Sequence, residues 1–292
     1  METIQLGGTD IVVSRLAYGC MRISGTWNPA ELTAEKVAAG KAALRSAYDA
    51  GYTLFDHADI YGRGTCEEIH GELFAESPGL RERTIVATKC GIRFPDDPPG
   101  APHRYDFRAD WIIESCENSL RRLQTDYIDL YQLHRPDYLM NPHEIAEAFD
   151  QLHESGKVRA FGVSNFLPDK FTALQAWVRH PLLVNQVEIS LWHLDTLEDG
   201  TLNQCLEHGI TPLSWSPLGG GREGLAELEV GDLDLTPAQA ALAWLMEHPA
   251  GIIPIVGTTN PARIQELAAT PTKIGRENWY RMFVAARGKA LA

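Results

Sequence analysis

Short apolar runs alternate with longer amphipathic segments from Leu16 to the end of the chain. One such run, Tyr127–His134, is followed by a helix start at Asn141-Pro142. Apolar runs of this length are typical of buried strands, and the periodic segments between them are typical of crossover helices. We count eight strand–helix units, which over about 250 residues predict a single α/β domain, a (β/α)₈ TIM barrel. An open doubly wound sheet is the alternative, but Gly19-Cys20-Met21-Arg22 after the first strand lacks its Gly-x-Gly-x-x-Gly sequence.

The segments outside the repeats have simpler patterns. Ile4–Leu6 and Ile11–Val13 flank a glycine-rich turn, which predicts an N-terminal β-hairpin that closes the bottom of the barrel. The segment Arg93–Tyr105 contains four prolines and is predicted to be a loop over the barrel mouth. No linker or change in composition divides the chain, so residues 1–292 are predicted to form one domain.

Composition excludes several classes of partner and location. The formal charge is −13, from 26 basic and 39 acidic residues. Nucleic acids and anionic membranes require a positive surface, so neither is expected as a partner. The five cysteines include no Cys-x-x-Cys pair, the N-terminus lacks the pattern of a signal peptide, and no apolar stretch is long enough to span a membrane. We therefore expect a cytoplasmic protein with reduced thiols, without a bound metal, and monomeric or weakly oligomeric.

Polar side chains occupy the ends of successive predicted strands. Asp56 follows the second strand, Lys89 the third and His134 the fourth, and Tyr61 lies on the loop after Asp56. In barrels of this kind the carboxyl ends of the strands carry the chemistry. Each of these residues alone is more often a surface group, a helix cap or a packing residue. Together, in successive positions, they predict an active site.

The four residue types suit the reduction of a carbonyl group. An oxygen that gains negative charge during hydride addition needs a proton donor, and a phenol has an ordinary pKa near 10. A nearby ammonium such as that of Lys89 stabilises the phenolate and lowers the pKa of Tyr61. Asp56 is expected to hold Lys89 by a charge-assisted hydrogen bond. A neutral imidazole on His134 is expected to orient the carbonyl oxygen.

The same residues resemble the catalytic tetrad of the aldo-keto reductases. The resemblance runs from Leu6-Gly7 to Arg263 and is similar in detail to a bacterial oxidoreductase branch of that family. It implies the barrel fold, reduction of aldehydes or ketones to alcohols with Tyr61 as proton donor, and NADP(H) as cofactor. The segments that carry it are Asp56-x-Ala58-x-x-Tyr61-Gly62, Lys89, His134-Arg135-Pro136, Gly156–Phe166, Asn185–Glu188 and Trp215–Gly219.

Polar and aromatic residues on the later strands are predicted to hold the nicotinamide. Ser164, Asn165 and Gln186 carry donors and acceptors that match a carboxamide. Trp215 offers a flat ring on which the nicotinamide stacks. The resemblance implies the same roles. The predicted contacts of the cofactor further include Cys20, Met21, Asp56, Ser216 and Gly257.

Two later segments are predicted to bind the phosphates of the cofactor. In Leu218-Gly219-Gly220-Gly221-Arg222, the backbone at Leu218 and Gly220 can approach a pyrophosphate, with Arg222 beside it. Arg263 lies in the first turn of a helix that begins at Asn260-Pro261, where a cation is favourable if a phosphate is also present. In the family an arginine here contacts the 2′-phosphate, and Thr258 corresponds to a hydroxyl ligand. NADP(H) is therefore preferred over NAD(H), although Gly257 replaces a lysine and Leu267 an asparagine that many members carry.

The substrate is less well defined by the sequence. Trp27, Trp192 and His193 lie on loops near strand ends and are candidates for its pocket, and Trp279 in the C-terminal tail is a further one. A small-molecule carbonyl compound is the expected substrate. Two alternatives remain: a regulatory module that binds the cofactor with little turnover, as in potassium-channel β subunits, and a metal-dependent barrel hydrolase. Only Asp56 and His134 match the metal-binding side chains that such a hydrolase needs.

Overall fold

Strands and helices alternate along the chain in the computed structural model, which describes residues 1–224, 230 and 233–291. The strands are β1 (Thr3–Gln5), β2 (Val12–Ser14), β3 (Ala17–Gly19), β4 (Leu54–Asp56), β5 (Ile85–Cys90), β6 (Ile92–Arg93), β7 (Arg104–Tyr105), β8 (Ile128–Leu133), β9 (Val158–Ser164), β10 (Leu182–Glu188), β11 (Thr211–Trp215) and β12 (Ile253–Val256). The helices are α1 (Ala34–Asp49), α2 (Thr65–Glu76), α3 (Ala109–Leu123), α4 (Pro142–Glu154), α5 (Pro168–Gln175), α6 (Thr201–His208), α7 (Pro237–Glu247), α8 (Pro261–Ala268) and α9 (Arg276–Arg287).

Eight of the strands form a closed parallel barrel. Their order around the ring is β3-β4-β5-β8-β9-β10-β11-β12, and β12 returns to pair with β3 through Ile255↔Ala17 and Val256↔Tyr18. Each neighbouring pair is parallel, which requires the helical crossovers that the sequence predicts. The predicted (β/α)₈ barrel is therefore confirmed, and the alternative of an open sheet is wrong.

The inside of the barrel changes from apolar to polar along the strands. Leu54, Ala87 and Leu130 belong to a buried apolar cluster at its lower end. Alternate residues of a strand point to the same face, so the residues two positions further on, Asp56 and Lys89 among them, also point inward. The polar side chains therefore collect inside the carboxyl end of the barrel, above an apolar floor.

The N-terminal hairpin closes the lower end, as predicted. Strands β1 and β2 pair antiparallel, and Leu6, Ile11 and Val13 are buried in the same apolar cluster as the barrel floor. The Gly7 N–H donates a hydrogen bond to Thr211 Oγ1 at 2.8 Å. Gly7 has a φ of +55°, and a Cβ at this position would lie 2.8 Å from the Cβ of Leu183. Glycine is required here because the hairpin turn packs directly against the barrel.

Helix starts agree closely with the sequence pattern. Thr236 caps α7 in a capping box with Gln239, and Asn260 caps α8 through the Arg263 N–H. Both caps are followed by a proline in the first helical position, where its missing N–H has no consequence. Asn141 caps α4 in the same way, accepting from the His143 N–H.

One prediction outside the repeats needs correction, and a second stays a prediction. The segment Arg93–Tyr105 is not a plain loop, because its ends pair as the antiparallel strands β6 and β7. Trp279 lies in α9 and stacks on Trp244 of α7 with ring centroids 5.0 Å apart, and its part in a substrate pocket stays a prediction. The sequence pattern could not show that a tryptophan in the tail meets another tryptophan. Among the helices of the described residues, none combines the length and apolarity needed to cross a membrane.

Candidate active site

Lys89 lies at the centre of the candidate site with all of its hydrogen-bond donors used. Its side chain is 1% exposed, at the end of β5. The Nζ atom lies 2.7 and 2.8 Å from the two carboxylate oxygens of Asp56, 2.7 Å from the backbone oxygen of His57 and 3.3 Å from the hydroxyl of Tyr61. The predicted grouping of Asp56, Lys89 and Tyr61 is therefore present in the structure.

The electrostatic effect of Lys89 on Tyr61 is partly as expected. Burial raises the pKa of Tyr61 to about 12, whereas the adjacent Lys89 ammonium acts to lower it. Burial also opposes the charge on Lys89, but Asp56 and Tyr61 outweigh it and raise the pKa of Lys89. The expectation of a phenol with a pKa below its ordinary value is thus wrong for the protein as it stands. Desolvation by the surrounding barrel, which the sequence does not reveal, is the larger effect.

His134 faces Tyr61 as a neutral ring. Burial, with the charges of Lys89 and Arg135, holds the pKa of His134 well below its usual value. The two rings meet edge to face, with centroids 6.0 Å apart and planes at 80°. The Nδ1 atom is buried and has no partner among the described residues. The neutral imidazole predicted from the sequence is therefore present and next to Tyr61.

The loop that carries Tyr61 is anchored at several points. The Asp59 N–H donates to the Lys89 carbonyl oxygen at 3.1 Å, and the Tyr61 N–H donates to that of Ala58 at 3.0 Å. The Ser115 hydroxyl of α3 donates to the Asp59 carboxylate at 2.7 Å. These bonds tie the loop between β4 and α2 to the neighbouring strand and helix, so the Tyr61 hydroxyl is held near Lys89.

Asn165, Ser164 and Trp215 form one hydrogen-bonded group near His134. The Trp215 Nε1–H donates to Asn165 Oδ1 at 2.9 Å, and Asn165 Nδ2 donates to Ser164 Oγ at 2.8 Å and to the His134 carbonyl at 3.2 Å. The Ser164 hydroxyl donates to the backbone oxygen of Gln186 at 2.9 Å. Gln186 Oε1 is buried without a partner among the described residues. The predicted carboxamide ligands thus lie together, and Gln186 is the one with an unused acceptor.

The segment after β11 is tightly turned. Ser216 has a φ of +50°, and a Cβ on Gly220 would lie 2.9 Å from Ser216 Oγ. Leu218 packs against two buried apolar clusters of the core. Arg222 is exposed, and its Nη1 lies 2.7 Å from Glu188 Oε1 at the end of β10. The predicted phosphate-binding cation is therefore paired with a carboxylate.

In the segment after β12, the predicted cation has no partner among the residues that the structure describes. Thr258 is partly exposed, and its Oγ1 accepts from the Asn260 N–H at 3.3 Å. Arg263 is exposed in the first turn of α8, and the described residues give its guanidinium no hydrogen bond or ion pair. Gly257 is partly exposed, and a Cβ there would meet only the Gly19 carbonyl, at 3.6 Å.

The predicted residues after β3 differ from one another in accessibility. Met21 is 39% exposed, whereas the side chain of Cys20 is fully buried. Burial raises the pKa of the Cys20 thiol well above its usual value. Cys20 has no exposed surface as a whole residue, so its contact with a cofactor stays a prediction.

The three candidate substrate residues lie in two places. Trp27 is 52% exposed and meets the Tyr61 ring edge to face, with centroids 6.5 Å apart. Trp192 donates from Nε1 to the Glu223 carbonyl at 3.0 Å, and a Cβ on Gly219 would lie 3.0 Å from its ring. His193 Nδ1 lies 3.8 Å from Glu188 Oε2. Trp27 is therefore the candidate in direct contact with the tetrad.

Sequence reasoning missed three residues that bear on the site. His57 supplies the third acceptor for Lys89 through its backbone. Glu188 pairs with Arg222 and could have been suspected, since it is a charged residue at a strand end. Gln132 is fully buried beside Lys89 in the register of β5 and β8, and neither of its amide atoms has a partner in the described structure. No local signal marks an inward-facing glutamine within an apolar run.

One cluster has the composition of a metal site. Cys20, His57 and His70 place donor atoms within 4.8 Å of one another. However, His57 Nε2 and His70 Nδ1 lie 2.8 Å apart, which is a hydrogen bond between two neutral rings. Burial holds the pKa of both histidines below its usual value, so each ring has a donor and an acceptor for such a bond. The cluster is therefore a hydrogen-bonded pair of histidine rings beside a buried thiol.

Taken with the barrel, the Tyr61–Lys89–Asp56 contacts and the neutral His134 define a barrel oxidoreductase site. The comparison with known proteins agrees. Residues 15–227 and 222–273 match the sequence model of the aldo/keto reductase family. The chain belongs to this family of oxidoreductases.

Relatives of similar length cover nearly the whole chain. It is 41% identical to the "Uncharacterized oxidoreductase YcsN" of Bacillus subtilis, over 99% of both chains. It is 42% identical to a "6-dehydroglucose reductase" of Novosphingobium aromaticivorans, over 98% of this chain and 96% of the relative. Among solved structures, the thermostable aldo-keto reductase Tm1743, in complex with the inhibitor epalrestat, superposes with a TM-score of 0.84 at 26% identity over 97% of this chain and 99% of that one. An aldo/keto reductase of Klebsiella pneumoniae in complex with NADP and acetate superposes with a TM-score of 0.79 at 28% identity, over 96% and 93% of the two chains.

Proposed function

We propose that this protein reduces aldehydes or ketones to alcohols with NADP(H), with Tyr61 as the proton donor. One observation carries the proposal: the Tyr61 hydroxyl lies 3.3 Å from a Lys89 ammonium that Asp56 holds in place. A phenol beside a buried cation, next to a neutral imidazole, is suited to protonate an oxygen that becomes negatively charged.

The residues around the site fit a nicotinamide dinucleotide. Gln186 Oε1 is a buried acceptor without a partner in the described residues, which suits the amide N–H of a carboxamide. Trp215 offers a ring held in place by its bond to Asn165. Arg263 at the start of α8 has no partner within the described part of the chain and suits a phosphate, because a helix N-terminus and a guanidinium both attract anions. A related structure contains NADP and another NADPH.

A reduced nicotinamide, when bound, supplies the hydride that adds to the carbonyl carbon. Residues of the protein then orient the oxygen and neutralise its developing negative charge. His134 donates a hydrogen bond from its Nε2–H and orients the oxygen, and Tyr61 transfers its hydroxyl proton to it. The remaining phenolate is stabilised by the Lys89 ammonium, whose charge Asp56 sustains.

The pKa of about 12 for Tyr61 is compatible with this role. A developing alkoxide is about as basic as hydroxide, whose conjugate acid has a pKa of ~15.7. Transfer of a proton from a phenol with a pKa of about 12 to such an oxygen is therefore downhill. In the reverse direction the phenolate has to form first, so alcohol oxidation is expected to need a higher pH than reduction.

We propose a small carbonyl compound as substrate, with Trp27 on one side of the reacting oxygen. Trp27 is half exposed and touches Tyr61, so an apolar part of the substrate can pack on it. Two relatives are named 6-dehydroglucose reductase, and a sugar aldehyde therefore belongs among the compounds to be tested.

The test combines a substrate screen with one substitution. Purified protein is assayed against aldehydes, ketones, quinones and sugar aldehydes with NADPH and with NADH, and cofactor binding is followed by quenching of tryptophan fluorescence. Tyr61→Phe is expected to reduce kcat by roughly 10²–10⁴-fold and to leave cofactor binding nearly unchanged. Retention of most activity by this variant would exclude Tyr61 as the donor. Tight cofactor binding without reduction of any compound would instead support a regulatory module.

A further inference from the structure

The direction of the Lys89 ammonium is determined by three acceptors. An ammonium has three N–H donors and no acceptor. Here they point to the Asp56 carboxylate, the His57 carbonyl oxygen and the Tyr61 hydroxyl. Because the three N–H bonds have a rigid tetrahedral arrangement, two filled directions leave the third toward Tyr61. The His57 carbonyl is therefore as important as Asp56 for directing the third N–H of Lys89 toward the Tyr61 hydroxyl.

The side chain of His57 is the first member of a buried hydrogen-bonded chain. His57 Nε2 lies 2.8 Å from His70 Nδ1, and His70 Nε2 lies 2.7 Å from the Tyr48 hydroxyl. The Tyr48 hydroxyl lies 2.9 Å from Thr84 Oγ1, which donates to the Leu80 carbonyl at 2.7 Å. This hydrogen-bonded chain of side chains runs from the loop after β4 through α2 and α1 to the start of β5.

The positions of the protons in this chain follow from counting donors. Thr84 donates its one hydroxyl proton to the Leu80 carbonyl oxygen, so its Oγ1 accepts a hydrogen bond from the Tyr48 hydroxyl. Tyr48 has then used its own proton and accepts from the His70 Nε2–H. The neutral His70 ring has a lone pair on Nδ1, so His57 Nε2–H donates to it. Each bond has one donor and one acceptor, and the chain has a single direction.

We propose that His70, supported by Tyr48, is a positioning residue for the reaction, because it holds His57 so that the His57 carbonyl directs Lys89 at Tyr61. This inference rests on the proposed reductase function. His70 and His57 are both fully buried, and His70 stacks on Phe74 with ring centroids 4.3 Å apart. The anchor is thus rigid, and nothing in it touches the reacting atoms.

Loss of the acceptor on His70 has a definite consequence. The His57 N–H would be buried without a partner, which is unfavourable, so the His57 side chain and its backbone would shift toward another partner. Lys89 would then lose one of its two fixed acceptors, and its third N–H would no longer be held toward Tyr61.

Two substitutions of one residue separate positioning from packing. His70→Leu removes the acceptor, whereas His70→Asn places its Oδ1 near the position of the lost Nδ1. We expect His70→Leu to lower kcat about tenfold and to increase the solvent deuterium isotope effect on kcat, because proton transfer from Tyr61 becomes slower. The Kd of NADPH and the KM of the test aldehyde should change less than twofold. His70→Asn should recover most of kcat and the smaller isotope effect.

The thermal midpoint Tm is measured for every variant. Equal loss of kcat in the two variants, or a fall in Tm with no change in isotope effect, would mean that His70 only packs. If His70→Leu does not fold, Tyr48→Phe replaces it: the proposal then requires a lower kcat with a larger isotope effect, and an unchanged isotope effect overturns it. Tyr61→Phe is measured alongside. Activity of that variant would overturn the proposed function itself, whereas an inactive Tyr61→Phe with equal His70 variants would overturn only this inference.

Discussion

The Nη1 atom of Arg222 lies 2.7 Å from Glu188 Oε1, across the segment that follows β11. The cation that the sequence assigns to the cofactor phosphates is therefore paired with a carboxylate from the end of β10. Glu188 also lies 3.8 Å from His193. An anionic ligand has to share Arg222 with Glu188, so this carboxylate is expected to set how strongly Arg222 contributes to binding.

Glu188→Gln is expected to tighten NADPH binding. The change removes the competing charge and keeps the shape of the side chain. Because the Arg222 side chain is 47% exposed, the effect should be small, about threefold in Kd and mostly lost in high salt. Fluorescence titration measures it, with Arg222→Ala as the opposite control, which should weaken binding. Weaker binding by Glu188→Gln would mean that Glu188 instead holds Arg222 in place for the ligand.

Arg263→Ala is expected to discriminate between the two cofactors. If the guanidinium contacts the 2′-phosphate, its loss should raise the Kd of NADPH by a factor that corresponds to roughly 2 kcal/mol. The Kd of NADH, which lacks this phosphate, should hardly change. Arg281→Ala, a change of an exposed arginine on α9, is the control and should alter neither Kd. Equal loss of affinity for both cofactors would place the 2′-phosphate elsewhere.

Asp59 predicts a dependence of stability on pH. Burial raises the pKa of Asp59 to about 7. The ordinary pKa of an aspartate in the unfolded chain is near 3.9. At a pH between these two values, Asp59 is protonated in the folded protein and ionised in the unfolded chain. The contribution of Asp59 to the free energy of unfolding is fully present below about pH 4 and is lost as the pH rises through about 7. The loss is roughly 1.4 kcal/mol for each unit by which folding raises the pKa of Asp59.

The measurement compares Tm between pH 4 and 9 for wild type and Asp59→Asn. Asparagine keeps an acceptor for the Ser115 hydroxyl and cannot ionise. The variant should gain Tm relative to wild type as the pH rises. Asp110→Asn, on the exposed face of α3, should follow the wild type. Parallel curves for wild type and Asp59→Asn would show that Asp59 titrates normally.

Gly7 and Gly8 form a matched pair for testing the packing of the hairpin. Both have positive φ, but a Cβ on Gly7 would collide with Leu183, whereas a Cβ on Gly8 would meet nothing within 4 Å. Gly8→Ala should lower the free energy of unfolding by about 1 kcal/mol through backbone strain alone. Gly7→Ala should add about 1–3 kcal/mol for the overlap. Urea denaturation measures both, and equal losses would mean that the hairpin moves away from the barrel without cost.

The sequence alone determined the order of the elements and the positions of the tetrad. Strand and helix patterns, caps such as Thr236-Pro237 and polar residues at strand ends are local signals, because they reflect backbone geometry within a few residues. The parallel barrel then follows, since alternating strands and helices have few other ways to bury their apolar faces. Asp56, Tyr61, Lys89 and His134 could be grouped for this reason before any distance was known.

The partners of these residues follow from the tertiary fold and not from the sequence pattern. The pKa of Tyr61 depends on how much of the barrel surrounds it, and that burial outweighs the effect of Lys89. Arg222, in the segment after β11, has its carboxylate partner at the end of β10, 34 residues away. The hydrogen bonds from His57 through His70 to Tyr48 join the loop after β4, helix α2 and helix α1, which no short sequence motif links. Hydrogen bonds and desolvation depend on atoms that are close in space, and the spacing of residues along the chain does not contain that information.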